Sequence, residues 1–125
     1  MSLTVAQGSL VFEEDPMYEP SREFLSFHVA GFSHWYGFDV LDKLTPGAKL
    51  RLVPEPDNPY DPHAVALYKG KVKIGFVPRD HNQTLAQLLY FGHGKAFECR
   101  VTHVVPDAHP ERMVYARILV KDHRS

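Results

Sequence analysis

Residues 23–31, EFLSFHVAG, set Phe24, Ser26 and His28 on one face and Leu25, Phe27 and Val29 on the other. That is the two-residue period of a half-buried strand. AKLRLVPE (48–55) repeats it, with Leu50 and Leu52 against Lys49, Arg51 and Val53. HAVALYK and KVKIGFV flank Gly70 and read as a hairpin, and Pro78 ends its second strand. KAFECRVTHVV (95–105) alternates Phe97, Cys99 and Val101 with Glu98, Arg100 and Thr102, and RMVYARILVKD (112–122) supplies a last strand. The PDAHPE connection between these two is too long for a tight turn.

Two segments break the period. FDVLDKL (38–44) predicts a short helix before a Thr-Pro-Gly turn. RDHNQTLAQLLYFGHG (79–94) predicts another, with Leu85, Leu88 and Leu89 as its apolar stripe. Asp80 with Gln83 has the spacing of a capping box, and Gly92 or Gly94 is the expected stop. The order is one strand, a helix, three strands, a helix and two strands. It lacks the regular alternation of a parallel α/β fold. The expectation is a mostly β chain: a small six-stranded antiparallel barrel with two short helices over its openings.

Residues 1–23 show no clear period and read as an arm, with the barrel domain at 24–122. The arm holds Glu13, Glu14, Asp15, Glu19 and Glu23 against Arg22 alone. The net charge is −1, yet 13 of the 14 basic residues and only 10 of the 15 acidic ones lie beyond residue 23. The body is therefore mildly basic, which permits phosphate binding without requiring it. The 125 residues suffice for one domain. No apolar run approaches the roughly 20 residues of a membrane helix, and the start lacks the features of a secretion signal. The single cysteine, Cys99, rules out an internal disulfide, and a reducing cytoplasm is the expected setting.

Candidate chemistry is sparse. Eight histidines (His28, His34, His63, His81, His93, His103, His109 and His123) are scattered without metal-ligand spacing, so no metal or cofactor is expected. Cys99 sits on the apolar face of a strand and reads as a core thiol rather than a nucleophile. No phosphate-binding glycine loop or nucleophile elbow is present, so no catalytic residue is assigned. GFSHWYGF concentrates Phe32, Trp35, Tyr36 and Phe38 around His34. Trp35 and Phe38 read as core rings, while His34 and Tyr36 are free to stack on bases. Lys69, Lys71 and Lys73 alternate around the hairpin as a solvated tip or a phosphate-facing edge.

EPDNPYDPHAVAL (55–67) is the densest signal. Pro56, Pro59 and Pro62 fix three φ angles and restrain the residues before them. Asn58 and Asp61 are turn formers. A rigid turn explains the prolines and Asn58, but not Tyr60 beside Asp61. A ring and a carboxylate held stiffly at a barrel mouth form a recognition device with little ordering entropy left to lose. Asp61 would need a hydrogen-bond donor, such as a sugar hydroxyl or a base amino group.

VAGFSHWYG, LRLVPEPDNPYDPHAVAL and KIGFVPRDHNQTLAQLL follow one another in a way that resembles the HIRAN domain, over about residues 24–120. That domain occurs beside some Swi/Snf-type DNA-repair helicases and alone in bacterial proteins. The resemblance implies a barrel related to the oligonucleotide-binding barrels and a socket for the 3′ end of single-stranded DNA. Tyr60 would approach the terminal nucleotide, and Asp61 would accept a hydrogen bond from the free 3′ hydroxyl. The family's arginine–tyrosine pair falls on Ser33 and His34, so the arginine is absent here. The expected site is thus Ser33, His34, Tyr36, Asn58, Tyr60, Asp61, Lys71, Lys73 and Arg79, with His34, Tyr36 and Tyr60 stacking and the three cations neutralising phosphate. The expected function is a non-enzymatic single-stranded DNA module in repair, targeting a separate helicase or nuclease. The alternatives are a protein-interaction domain without DNA binding and, more weakly, a metal-dependent hydrolase.

Overall fold

The computed structural model describes the backbone of residues 2–6, 9–13 and 21–122. Strands β1 (Ser2–Ala6) and β2 (Ser9–Glu13) pair antiparallel as a separate two-stranded sheet. The sequence reading left this stretch as an arm, because five-residue strands offer too few periods to stand out. Residues 14–20 and 123–125, with the acidic Glu14, Asp15 and Glu19 and with His123, lie outside the described residues.

Six antiparallel strands form the second sheet: β3 (Ser21–His28), β4 (Lys49–Glu55), β5 (Ala64–Lys69), β6 (Val72–Phe76), β7 (Phe97–Val104) and β8 (Val114–Lys121). Their spatial order is β3-β8-β7-β4-β5-β6. β3 begins at Ser21, upstream of the strand expected from Glu23, and so upstream of the expected domain boundary at residue 24. β4 changes partner along its length, pairing with β7 at Lys49–Leu50 and with β5 from Arg51 to Glu55. A strand shared in this way turns a corner, and the sheet curls. The two edges do not pair along their length. One bridge joins them, with Ala30 and Phe76 exchanging both N–H···O bonds at 2.8 Å. The barrel is thus drawn together by one bridge rather than by a sixth ladder.

That bridge depends on Gly75, whose φ is +154° and whose added Cβ would strike the Ala30 carbonyl and Val29. Backbone approaches this close exclude any other residue. Inside the curl, the expected alternation holds. Phe27, Val29, Leu50, Leu67, Ile74, Cys99, Val101, Ala116 and Ile118 are buried, while Lys49, Arg51, His28 and Arg117 face solvent.

Helix α1 (Gln83–Tyr90) closes one opening with Leu85 and Ala86 buried and with Leu88 and Leu89 half-buried. It stops at Gly92, at φ +91°, where Gly92 N–H reaches the Leu89 carbonyl and His93 N–H the Leu88 carbonyl. Asp80 is not its cap. It lies in a separate 3-10 turn, Arg79–His81, and the N-cap position belongs to Asn82, whose side chain makes no capping bond. The segment 37–43 is likewise a 3-10 run rather than an α-helix, broken at Val40. Among its aromatic neighbours, Phe32 fills the core at 0% exposure, whereas Phe38 is 48% exposed. Gly37 lies against the Phe32 ring, leaving no room for a Cβ. No helix among the described residues is long and apolar enough to cross a membrane.

Gly75→Ala is expected to lower stability by about 3 kcal/mol, through backbone strain and loss of the bridge. Gly70→Ala, at φ +62° in open space, should cost only about 1 kcal/mol. Urea denaturation of both variants measures the difference.

Candidate nucleic-acid interface

The loop between β4 and β5 carries the site. Pro59 and Pro62 have no N–H to satisfy, and every remaining N–H from Asn58 to Ala64 has a partner inside the loop. Asn58 N–H bonds the Glu55 carbonyl at 3.0 Å. Asn58 Oδ1 accepts from Tyr60 N–H at 2.9 Å and from Asp61 N–H at 3.2 Å. Asp61 Oδ1 accepts from His63 N–H at 2.9 Å, and the Asp61 carbonyl accepts from Ala64 N–H at 3.1 Å. The loop is therefore hydrogen-bonded to itself without a helix or a ladder.

Two contacts fix it to the barrel. Asn58 Nδ2 donates to Glu55 Oε1 at 3.0 Å, and Lys73 Nζ of β6 holds Glu55 Oε2 at 2.7 Å. The Lys73 ammonium also lies 3.8 Å from the Trp35 ring centroid and 4.5 Å from that of Phe76. On the far side, Asn82 Nδ2 donates to Asp61 Oδ2 at 2.8 Å. Asn82 is 2% exposed, and among the described residues it is the buried polar side chain. Arg79 closes the rim, with Nη2 on the Tyr60 carbonyl at 3.1 Å and Nε 3.9 Å from Asp61 Oδ2.

These groups border a cleft of about 230 Å³, floored by Ala30 and Phe76 and walled by Asn58, Tyr60, Asp61, Arg79 and Asn82. The Tyr60 ring is 84% exposed, a flat apolar surface with no role in the core. Burial works to raise the Asp61 pKa, but the Asn82 amide, the His63 N–H and the Arg79 charge outweigh it. The carboxyl is held below the usual aspartate range. Asp61 is thus an anion at neutral pH and can only accept hydrogen bonds. Each of its oxygens has one protein N–H donor, which leaves acceptor capacity for a ligand.

Four expected residues, Asn58, Tyr60, Asp61 and Arg79, meet here. Tyr36, Lys71 and Lys73 line a different, shallow hollow of about 460 Å³ with Trp35, Asp39 and Tyr68. Lys73 does not stand free to meet phosphate, because Glu55 neutralises it and its side chain is only 13% exposed. Ser33 and His34 are exposed on the 3-10 turn Phe32–His34 and line neither space. Trp35, expected in the core, is half-buried against Phe76. The sequence reading missed Asn82, Phe76 and Glu55. Asn82 stands just before an apolar helical stripe, where the sequence reading gives the capping role to Asp80 and has no local signal for a bond to a distant loop.

Among the described residues no three His, Cys, Asp or Glu side chains converge as metal ligands. Burial pushes the Cys99 thiol up to about 12, which leaves it a neutral core group.

Fold and site together define an OB-like antiparallel barrel that presents a preformed cleft on a proline-stiffened loop. The chain matches the HIRAN domain over residues 23–121 and belongs to the HIRAN-domain family. That domain is a nucleic-acid-binding domain rather than a catalytic one. A crystal structure of a Lactobacillus plantarum protein superposes with a TM-score of 0.66 at 20% identity, covering 82% of this chain and 97% of that one. The HIRAN domain of human HLTF superposes at 0.58 and 19% identity, covering 82% of each. No curated protein matches the chain.

The lowered Asp61 pKa sets a sign for pH dependence. Its contribution to stability is full above about pH 4, the ordinary aspartate value, and is lost as pH falls through the lower folded value. The stability gap between wild type and Asp61→Asn should therefore be widest near neutrality and shrink in acid. A constant gap would contradict the assignment. Asn82→Ala should cost about 1–3 kcal/mol and raise the Asp61 pKa, as read by carboxyl NMR titration.

Proposed function

We propose that the protein is a non-enzymatic module that binds single-stranded DNA, with a 3′ end seated at Asp61. The observation that carries this reading is the ionised, acceptor-only Asp61 carboxylate beside the exposed Tyr60 ring. A ligand for this pair must offer a planar face and a hydrogen-bond donor close together. A terminal nucleotide with a free 3′ hydroxyl offers both, and a 3′ phosphate would be repelled. Phe76 and Ala30 supply an apolar floor for the base or sugar. Arg79, with its side chain 77% exposed, is placed to meet the adjacent phosphate, and exposed Lys71 to meet one further away. Ser33 and His34, at the positions where the family carries its arginine–tyrosine pair, would lie beside the terminal nucleotide, His34 stacking. Tyr36 would add a second stacking surface. Lys73 and Asn58 serve as supports of the loop. In DNA repair or processing, such a module would direct a separate helicase or nuclease to an end.

Fluorescence anisotropy with short oligonucleotides tests the reading. A 3′-hydroxyl end should bind about tenfold or more tightly than a 3′-phosphate end, and Asp61→Ala, with folding checked by circular dichroism, should abolish the difference. Equal affinity for the two ends would remove the role of Asp61. No binding at low salt would remove the nucleic-acid reading.

If Arg79 and Lys71 each neutralise one phosphate, affinity should fall with salt at a shallow log–log slope of about −1.4. Arg79→Ala should reduce that slope by about 0.7. Tyr60→Ala should weaken binding about tenfold through lost stacking.

A further inference from the structure

The proline loop has a second side. Pro54, Pro56 and Pro62 form one wall of a groove of about 200 Å³, and Tyr90 and Phe91 at the end of α1 form the other. The two rings meet edge to face at 5.1 Å and are 62% and 72% exposed. Neither belongs to the apolar stripe that packs α1 on the barrel, so core formation does not explain them. Adjacent large rings left in water mark a contact surface. The stiff proline wall opposite is flat, apolar and preformed. Such a slot suits a planar face without reading its hydrogen-bonding edge.

The groove and the Asp61 cleft share no lining residue, but residues of one loop border both. Pro56 and Pro62 face the groove, while Asn58, Asp61 and the exposed Tyr60 between them border the cleft. The same helical segment backs them too: Asn82 walls the cleft, and Ala86, whose N–H bonds the Asn82 carbonyl, walls the groove one turn later. From Asn82 to Tyr90 the helix rises about 12 Å. A strand stacked at about 3.4 Å per nucleotide covers that distance in three or four nucleotides. Exposed Arg79 precedes the helix in the chain and exposed Lys95 follows it, with charge suited to a phosphate backbone.

We infer that the groove holds unpaired bases of the same DNA strand, three or four nucleotides from its 3′ end, stacked on Tyr90 and Phe91. This rests on the reading of the Asp61 cleft as the seat of that end. It makes the footprint several nucleotides long and sequence-tolerant, since every base has a stacking face.

Binding of 3′-hydroxyl oligothymidines of two, four, six and eight nucleotides tests it, using the full chain and the Tyr90→Ala/Phe91→Ala variant. Wild type should gain about tenfold in affinity between two and six nucleotides. The variant should lose that gain while keeping its preference for a 3′ hydroxyl over a 3′ phosphate. A gain that survives in the variant overturns the inference. So does a wild type with no length dependence, which would leave the groove to another occupant such as an apolar peptide. A length gain without end preference would sink the Asp61 reading and leave the groove standing. Absence of binding at every length would remove both.

Discussion

One side chain determines the shape of the proline loop between β4 and β5. Three prolines between Pro56 and Pro62 stiffen the chain but give it fewer backbone donors and no partner strand. Asn58 replaces the missing ladder. Its carbonyl oxygen gathers the Tyr60 and Asp61 N–H groups, and its amide reaches back to Glu55. The turn points the Tyr60 ring outward and the Asp61 carboxylate toward Asn82. Because the loop is ordered before any ligand arrives, little conformational entropy remains to be lost on binding. Through Glu55 and Lys73 the same network reaches β6 and the Trp35 and Phe76 rings.

The closure of the barrel and the floor of the cleft are one feature. Ala30 and Phe76 form the bridge between the sheet edges, and both residues line the cleft beneath Asp61. Gly75 permits that approach and so supports both. β4 contributes at its two ends. Its start pairs with β7 and turns the corner, and its end carries Glu55 into the loop. The cleft geometry is thus built on strand ends and one bridge, where small backbone shifts would move Asp61 directly. Asn82, buried at the start of α1, fixes the carboxylate from the opposite side.

Much of this was legible in the sequence. Alternation located the strands at 23–31, 48–55 and 97–102 and the inward face of Cys99, the turn at Gly70 marked the hairpin, and helical spacing gave the Leu85 stripe, because burial imposes a period that local chemistry cannot hide. The Asn-Pro-Tyr-Asp run announced a rigid loop. What escaped notice depends on pairs distant in sequence. Asp61 and Asn82, or Glu55 and Lys73, are each about 20 residues apart, and no local pattern links them. Lys73 consequently looked like a free cation, and Asp80 like a cap. The choice of Phe32 over Phe38 as the core ring turned on Gly37, whose missing side chain makes the space. Charge counting could not show that Lys73 pairs with Glu55 or that Arg79 lies against Tyr60 and Asp61. Among those expected to meet phosphate, Arg79 and Lys71 remain exposed.

The central claim is that a free 3′ hydroxyl meets Asp61 in a cleft already formed. Titrating 15N-labelled protein with a short 3′-hydroxyl oligonucleotide, and following backbone and side-chain amides by NMR, tests this most directly. The account predicts that the Tyr60, Asp61 and His63 N–H signals and the Asn82 side-chain amide shift together, and that a 3′-phosphate oligonucleotide leaves the Asn82 amide in place. Equal shifts for both ends, or shifts confined to the outer face of β3, β8 and β7, would contradict it.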